Sequence, residues 1–179
     1  MDKNKQKDPP QNDIKFILNL LNSNKLIDAK NEIDKQLVKF PKSSVLFNVL
    51  GAVFANENKL DKAINSYEKA ISLNTNYAQA YNNLGIAFHK LNKIDKAIEN
   101  YKKAIHLKSD FFEAYNNLGN AVRDFNKYKE ALTYYNKALE FNPNYAEAYN
   151  NIGATYENLG DKKKALVNYQ KAVEFKPDY

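Results

Sequence analysis

The most distinctive polar residues of this 179-residue chain are pairs of adjacent asparagines. The segment AYNNLG occupies residues 80–85 and again 114–119, and AYNNIG follows at 148–153. A side-chain amide offers hydrogen-bond donors and an acceptor, so it can hold a peptide C=O and N–H together without reading the side chain between them. Asparagine is a mediocre helix former, because its amide competes for the backbone. Its repeated use therefore indicates either partner binding or a bond between neighbouring structural elements.

No other residue pattern is typical of catalysis or of metal binding. The chain has no cysteine, which excludes disulfides, thiolate metal sites and cysteine nucleophiles. His89 and His106 are the two histidines, and they fall on different predicted helices, so a histidine metal site is not expected. No glycine-rich phosphate loop occurs. We therefore expect no catalytic residue, no metal, no cofactor and no enzymatic activity.

The positive charge does not indicate a nucleic-acid partner. The net charge is +6, but Arg123 is the single arginine and the lysines are interspersed with acidic residues, as on a solvated helix face. Base readout and bidentate phosphate contacts favour clustered arginine, so we expect no nucleic-acid binding. No apolar run is long enough to cross a bilayer, and the N-terminus lacks the apolar core of a signal peptide. The sequence predicts a soluble, cytoplasmic protein without a membrane partner.

The elements that carry the asparagines recur at a step of 34 residues. Within each repeat, glycine occupies position 8, alanine occupies positions 20 and 27, and tyrosine occupies position 24. Positions 4, 7, 8 and 11 share one face of a helix, and positions 20, 21, 24, 27 and 28 share one face of a second helix. Each repeat is therefore predicted to be two amphipathic helices that cross closely at small residues. The full repeats are 44–77, 78–111, 112–145 and 146–179.

The residues between helices support this division. Position 15 is expected to end the first helix in a left-handed conformation, which asparagine and glycine tolerate; it is occupied by Asn58, Asn92, Asn126 and Gly160. The following helices are predicted to be capped by Asn76, Asp110, Asn144 and Asp178. Residues 10–43 form a degenerate N-terminal copy in which Asp13 and Gln36 break the pattern, and residues 1–9 are predicted to be a disordered polar tail.

Each full repeat has an aromatic residue at position 4, leucine or isoleucine at 7, glycine at 8 and alanine at 20 and 27, and two repeats have a proline near the end. On a step of 34 residues, this pattern resembles the tetratricopeptide repeat (TPR) family. The resemblance implies an all-α, right-handed superhelical solenoid of helix-turn-helix repeats, in which each first helix lines a concave groove. It also implies a protein–protein interaction module that binds an extended peptide or partner segment in that groove.

The second asparagine of each pair is predicted to face this groove. On a wheel at about 100° per residue, positions 2, 6, 9 and 13 of the first helix point away from the second helix. Position 6 holds Asn83, Asn117 and Asn151, and the other predicted groove residues are Asn120, Gln79, Glu113, Glu147, Lys90, Asp124 and Asn158. Such a series is similar to the asparagine ladder in the TPR half of O-linked N-acetylglucosamine transferases, which suits a peptide held by its backbone.

Several alternatives remain open at the level of sequence. The amides could instead bond to each other or to the backbone between repeats, a role favoured for the first asparagine of each pair. Val45 and Val49 form either an apolar pocket in the groove or a surface covered by the N-terminal helix. The chain could be the substrate-recognition half of a glycosyltransferase or sulfotransferase whose catalytic domain follows Tyr179. The uncapped last repeat also predicts end-to-end self-association.

Overall fold

The structure is a computed structural model that describes residues 8–178. Ten α-helices and no strand form in this part of the chain, which confirms the all-α fold class. In chain order they are α1 (Gln11–Asn22), α2 (Leu26–Lys39), α3 (Ser44–Asn56), α4 (Leu60–Leu73), α5 (Ala78–Lys90), α6 (Ile94–Leu107), α7 (Phe112–Asp124), α8 (Tyr128–Phe141), α9 (Ala146–Asn158) and α10 (Lys162–Phe175).

The chain divides into two compact units between Asn92 and Lys93. In the first unit, α3 packs against α4, and α5 contacts both of these helices; α1, α2 and α3 also contact one another. In the second unit, α7 packs against α8, α9 contacts both, and α10 packs against α9. The first helix of a repeat therefore packs on both helices of the repeat before it, at α3, α5 and α9.

The predicted close crossing of the two helices in a repeat is confirmed. A Cβ atom added to Gly119 would lie 2.5 Å from Cε1 of the Tyr135 ring, and one added to Gly153 would lie 2.7 Å from the Tyr169 ring. The Tyr135 side chain is fully buried. Glycine at position 8 is therefore required because the ring of the position-24 tyrosine occupies the space that a side chain would need.

The turns within repeats also have the predicted conformation. Asn58, Asn92 and Asn126 have φ angles of 58°, 57° and 58°, and Gly160 has a φ of 78°. Asn24, one step of 34 earlier, has a φ of 56°. The asparagine and glycine residues at position 15 thus end the first helices in the left-handed conformation, which other residues adopt at a cost.

The capping prediction for Asn76, Asp110 and Asn144 was wrong. The N-cap residues of α5, α7 and α9 are the aromatic residues that follow them, and none of these helices has a side-chain cap hydrogen bond. The N-caps are Tyr77, Phe111 and Tyr145. These rings pack inward: Phe111 is 3% exposed, and the Tyr145 ring meets Phe112 edge to face at 5.0 Å. The helices thus start at aromatic residues that are buried, as at Phe111, or half-buried, as at Tyr77 and Tyr145.

The degenerate N-terminal copy forms the two helices α1 and α2. The predicted polar tail is residues 1–9. Residues 1–7 lie outside the described residues, and the structure describes Asp8 and Pro9. The Ser43 hydroxyl donates a hydrogen bond of 2.5 Å to Asp8, and Pro9 is buried. The chain is thus anchored against the start of α3 from residue 8 onward.

Candidate functional site

The second asparagine of a pair hydrogen-bonds to the first position of the pair in the preceding repeat. In the first unit, Nδ2 of Asn83 donates to Oδ1 of Asn48 at 3.0 Å. In the second unit, Nδ2 of Asn151 donates to Oδ1 of Asn116 at 2.9 Å. The partners are 35 residues apart in both cases. We call this contact, from position 6 of one repeat to position 5 of the repeat before, the asparagine clasp.

Of the first asparagines of the pairs, Asn82 and Asn116 are buried and Asn150 is half-buried, and Asn48 occupies the same position 5 one repeat earlier. The bond that Asn116 accepts is of the structural kind that the sequence favoured for these residues. Asn48, Asn82 and Asn116 are 6%, 3% and 4% exposed. A buried carbonyl needs a hydrogen-bond donor, and the clasp supplies one to Asn48 and Asn116. Nδ2 of Asn48 also points to the Tyr77 hydroxyl at 3.4 Å. The first asparagine therefore fixes the position of the second.

The second asparagines remain accessible. Asn83, Asn117 and Asn151 are all half-buried. The clasp occupies one N–H of an amide that has two N–H groups and a carbonyl. Oδ1 of Asn83 also accepts a hydrogen bond of 3.2 Å from Gln79. Asn83 and Asn151 are thus each held by one N–H while their side chains stay half-buried.

Asn120, another predicted groove residue, is held by a buried tyrosine. The Tyr135 hydroxyl donates to Oδ1 of Asn120 at 2.8 Å. Burial raises the pKa of Tyr135 to about 12, although the Arg123 charge and the Thr155 hydroxyl lower it. The hydroxyl therefore stays protonated at neutral pH and remains a donor. Asn120 is thus held through its carbonyl.

The other predicted groove residues divide between the two units. Gln79 and Lys90, both exposed, belong to the first unit. In the second unit, Asp124 and Asn158 are exposed, and Glu113 and Glu147 are half-buried. Glu147 forms an ion pair with Lys176, with 2.9 Å between Oε1 and Nζ.

The apolar stretch of α3 is covered rather than open. Val49 is 4% exposed and belongs to a core cluster with Ile17 of α1 and Ile33 of α2, and Val45 packs against that cluster. Of the two alternatives for these valines, the structure thus shows coverage by the N-terminal helices. Neither valine offers a pocket for an apolar anchor.

Amide-to-amide bonding between repeats was an alternative that the sequence left open, but the sequence did not show that position 6 of one repeat pairs with position 5 of the repeat before. The signal was present in the spacing, because Asn48 and Asn83 lie one repeat plus one residue apart, as do Asn116 and Asn151. A helical wheel compares residues on one helix, so it does not reveal which residue of the neighbouring repeat meets position 6.

Within residues 8–178 there is no group of three or more His, Cys, Asp or Glu side chains that could hold a metal ion. None of the helices in the described part of the chain has the length and apolar character needed to span a membrane.

The repeats match known sequence profiles. A profile described as TPR repeat matches residues 51–92, 87–123 and 119–160, and one described as tetratricopeptide repeat matches residues 146–179. The chain belongs to the tetratricopeptide repeat family. TPR repeats are protein-interaction scaffolds, which is the general function that family membership assigns.

Solved structures share the fold of this TPR chain. MamA is 26% identical with a TM-score of 0.73, covering 89% of this chain and 94% of MamA. YrrB, described as a TPR protein with an unusual peptide-binding site, is 24% identical with a TM-score of 0.67, covering 99% and 90%. PilF of Pseudomonas aeruginosa is 22% identical with a TM-score of 0.83, covering 91% and 74%. No curated protein matches the sequence.

Proposed function

We propose that this TPR chain binds an extended segment of a partner protein through the side-chain amides of Asn83, Asn117 and Asn151, without catalysing a reaction. The observation that carries the proposal is the asparagine clasp. It holds Asn83 and Asn151 by one N–H while both side chains remain half-exposed.

Clasped amides suit backbone recognition for an entropic reason. Immobilising a free side chain on binding costs roughly 0.5–1.5 kcal/mol. The clasp already restricts the Asn151 side chain, so less side-chain entropy is lost when a partner bonds to it. An amide contacts the C=O and N–H that every peptide has, so the bound segment is selected by extended conformation more than by sequence.

The charges near these amides in the second unit refine the expected partner. The predicted groove residues there include three carboxylates, Glu113, Asp124 and Glu147, and no lysine. One of the three, Glu147, is already paired with Lys176. Electrostatic complementarity therefore favours a neutral or basic segment over an acidic one.

Two likenesses support the proposal. YrrB, which shares this fold, carries a peptide-binding site according to its description. The series of position-6 amides is similar to the asparagine ladder of O-linked N-acetylglucosamine transferases, which is the finer resemblance that the sequence suggests. Neither likeness identifies the partner of this chain.

The test begins with selection of extended peptides from a displayed random library against the intact chain, followed by calorimetric affinities for variants. Asn151→Ala removes both the clasp and the proposed contact, whereas Asn116→Ala breaks the same clasp from its buried side and leaves Asn151 in place. We expect Asn151→Ala to weaken binding roughly 3- to 30-fold, the equivalent of one or two hydrogen bonds. Asn116→Ala should weaken it less, and exposed Asn136→Ala should leave it unchanged.

The peptide provides a second control. Alanine replacement of single peptide side chains should change affinity little, and N-methylation of the contacted backbone amides should abolish binding. Equal losses for Asn151→Ala and Asn116→Ala would show that the clasp acts only on the fold, and the proposed contact would then be rejected. Selection of no peptide at all would reject it as well.

A further inference from the structure

Both units have a surface cleft beside the turn between the two helices of a repeat. Each cleft is formed by positions 15 to 19 of one repeat and position 14 of the next. The second turn cleft, with a volume of about 420 Å³, is lined by Asn126, Lys127, Tyr128, Lys129, Glu130 and Leu159. The first turn cleft, with a volume of about 480 Å³, is lined by Asn24, Lys25, Leu26, Ile27, Asp28 and Glu57. The repeat architecture therefore builds the same cleft in two places, and the side chains decide what each one binds.

The second turn cleft has two apolar walls. The Tyr128 hydroxyl donates a hydrogen bond of 2.7 Å to Oδ1 of Asn126, which holds the aromatic ring against the left-handed turn. Leu159 forms the other wall and is 43% exposed. Phe125, at the same position one repeat earlier, is 44% exposed although α9 packs on its hairpin, so exposure at this position belongs to the turn itself. The cleft thus offers a hydrophobic contact that one apolar side chain can enter.

The rim of the second turn cleft is positively charged. Lys127 and Lys129 line the cleft and are exposed, and Lys163, at the position of Lys129 one repeat later, is exposed as well. None of these three lysines forms an ion pair with another residue in the described part of the chain. Their charges are therefore available to a ligand.

The carboxylates beside these lysines are engaged elsewhere. Burial raises the pKa of the Tyr134 hydroxyl, and the neighbouring Glu130 carboxylate raises it further, so Glu130 interacts with that hydroxyl. Asp161, which follows Leu159 in the turn, forms an ion pair of 2.9 Å with Lys164 and accepts a hydrogen bond from its backbone N–H. The rim of the cleft consequently keeps its positive charge.

The first turn cleft has the opposite balance of charge. Lys25 is the one lysine among the residues that line it, and Asp28 and Glu57 line it as well. Ile27 occupies position 18, where the second turn cleft has Lys129. Because the same turn forms with either set of side chains, the lysines of the second turn cleft are not required by the fold.

We propose that the second turn cleft binds an acidic segment of a partner protein, which inserts one apolar side chain between Tyr128 and Leu159 and places carboxylates beside Lys127 and Lys129. Charge complementarity selects such a segment over a neutral or basic one. A lysine ammonium is a point charge on a flexible stem, so it pairs with carboxylates without one fixed geometry. The contact favours a peptide over a flat anionic membrane, because its apolar part lies in a cleft that a side chain can enter.

This surface shares no residue with the position-6 amides. It also selects the charge opposite to the one favoured near the amides of the second unit. The inference therefore goes beyond the proposed function and adds a second binding surface to the same unit.

The test is an NMR titration of the intact chain with two pools of synthetic peptides of about nine residues, a length that fills a cleft of this size. In the acidic pool a central Leu or Phe is flanked by random mixtures of Asp, Glu, Gly and Ser, and in the basic pool Lys replaces Asp and Glu. We expect the acidic pool to shift the backbone amide signals of Lys127, Tyr128, Lys129 and Leu159, and the basic pool to leave them in place. The affinity of the tightest acidic peptides should fall severalfold between about 50 and about 300 mM NaCl, because salt screens exposed charges.

Charge reversal locates the site. Lys127→Glu/Lys129→Glu places carboxylates at the start of α8, where the helix dipole favours them, so the fold should tolerate the change. We expect it to weaken binding of the selected acidic peptides about 5- to 30-fold, the equivalent of two exposed ion pairs. Lys25→Glu/Ile27→Glu changes the same two positions of the first turn cleft and is the matched control, which should bind normally.

Two further variants separate the apolar contact and the position-6 amides. Leu159→Ser should weaken the acidic peptides about 3- to 10-fold through lost apolar contact, and Asn151→Ala should leave their affinity unchanged. No shift at millimolar acidic peptide, an equal response to the basic pool, or full binding by the charge-reversed variant would overturn the inference. So would binding to phosphatidylserine vesicles without binding to acidic peptides, which would make the ligand a membrane surface. A dimer in sedimentation equilibrium that the charge reversal converts to monomer would also overturn it, because the occupant would then be a second copy.

Discussion

The asparagine clasp predicts a measurable coupling between Asn116 and Asn151. Asn116 is 4% exposed, so Asn151→Ala leaves its carbonyl buried without the donor that lies 2.9 Å away. An unsatisfied buried acceptor costs about 1–3 kcal/mol, more than the roughly 0.5–1.5 kcal/mol net value of a satisfied bond. Asn116→Ala leaves the Nδ2 of half-buried Asn151 within reach of water, and its cost of about 1–2 kcal/mol comes from the lost bond and the space left in the interior.

The double variant Asn116→Ala/Asn151→Ala should lose about 1 kcal/mol less stability than the sum of the two single variants. Each single change leaves the other amide without its hydrogen-bond partner, and the second change then removes that unpaired amide. The assay is urea denaturation followed by circular dichroism for the four members of the cycle, with exposed Asn136→Ala expected to stay within about 0.5 kcal/mol of the parent chain. Additivity within about 0.3 kcal/mol would refute the clasp as an energetic contact.

Three further predictions concern the elements that position the site. Gly119→Ala places a Cβ 2.5 Å from the buried Tyr135 ring and should cost about 1–3 kcal/mol in thermal unfolding; an unchanged midpoint would contradict the close crossing. Asn58 has a φ of 58°, so Asn58→Ala should cost about 1 kcal/mol while Asn58→Gly costs little, and the reverse order would disprove the left-handed turn. Burial raises the pKa of Tyr135 to about 12, so as the pH rises this tyrosine ionises in the unfolded chain before it ionises in the folded one. The stabilisation that comes from this difference should be fully present below about pH 10 and should be lost as the pH rises towards about 12. Tyr135→Phe should make that fall shallower in urea midpoints, and an identical slope would count against the shift.

The repeated small residues allowed much of the fold to be predicted. Glycine at 119 opposite tyrosine at 135, and asparagine at 58 after a helical run, each have a local physical requirement that recurs at every step of 34. A single such residue would fit several structures, but its recurrence every 34 residues excludes most structures other than a helical repeat. The all-α class and the left-handed turns followed from these positions alone.

The features that could not be predicted depend on packing between repeats. Asn76 precedes a helix and has a good capping side chain, but α5 has the half-buried Tyr77 as its N-cap and no side-chain cap hydrogen bond. Val49 was ambiguous because residues 10–43 match the repeat too weakly to show which face of α1 packs on α3. Bonding between amides of neighbouring repeats was left open, but the pairing of Asn151 with Asn116 could not be specified because the two residues lie on different first helices.

The most direct test of the proposed function is the NMR response of the side-chain amide signals when the intact chain is titrated with a selected extended peptide. The account predicts that the Nδ2 signals of Asn83, Asn117 and Asn151 shift and saturate together, while the signal of exposed Asn136 stays in place. Saturable binding that leaves all three signals unchanged would contradict it.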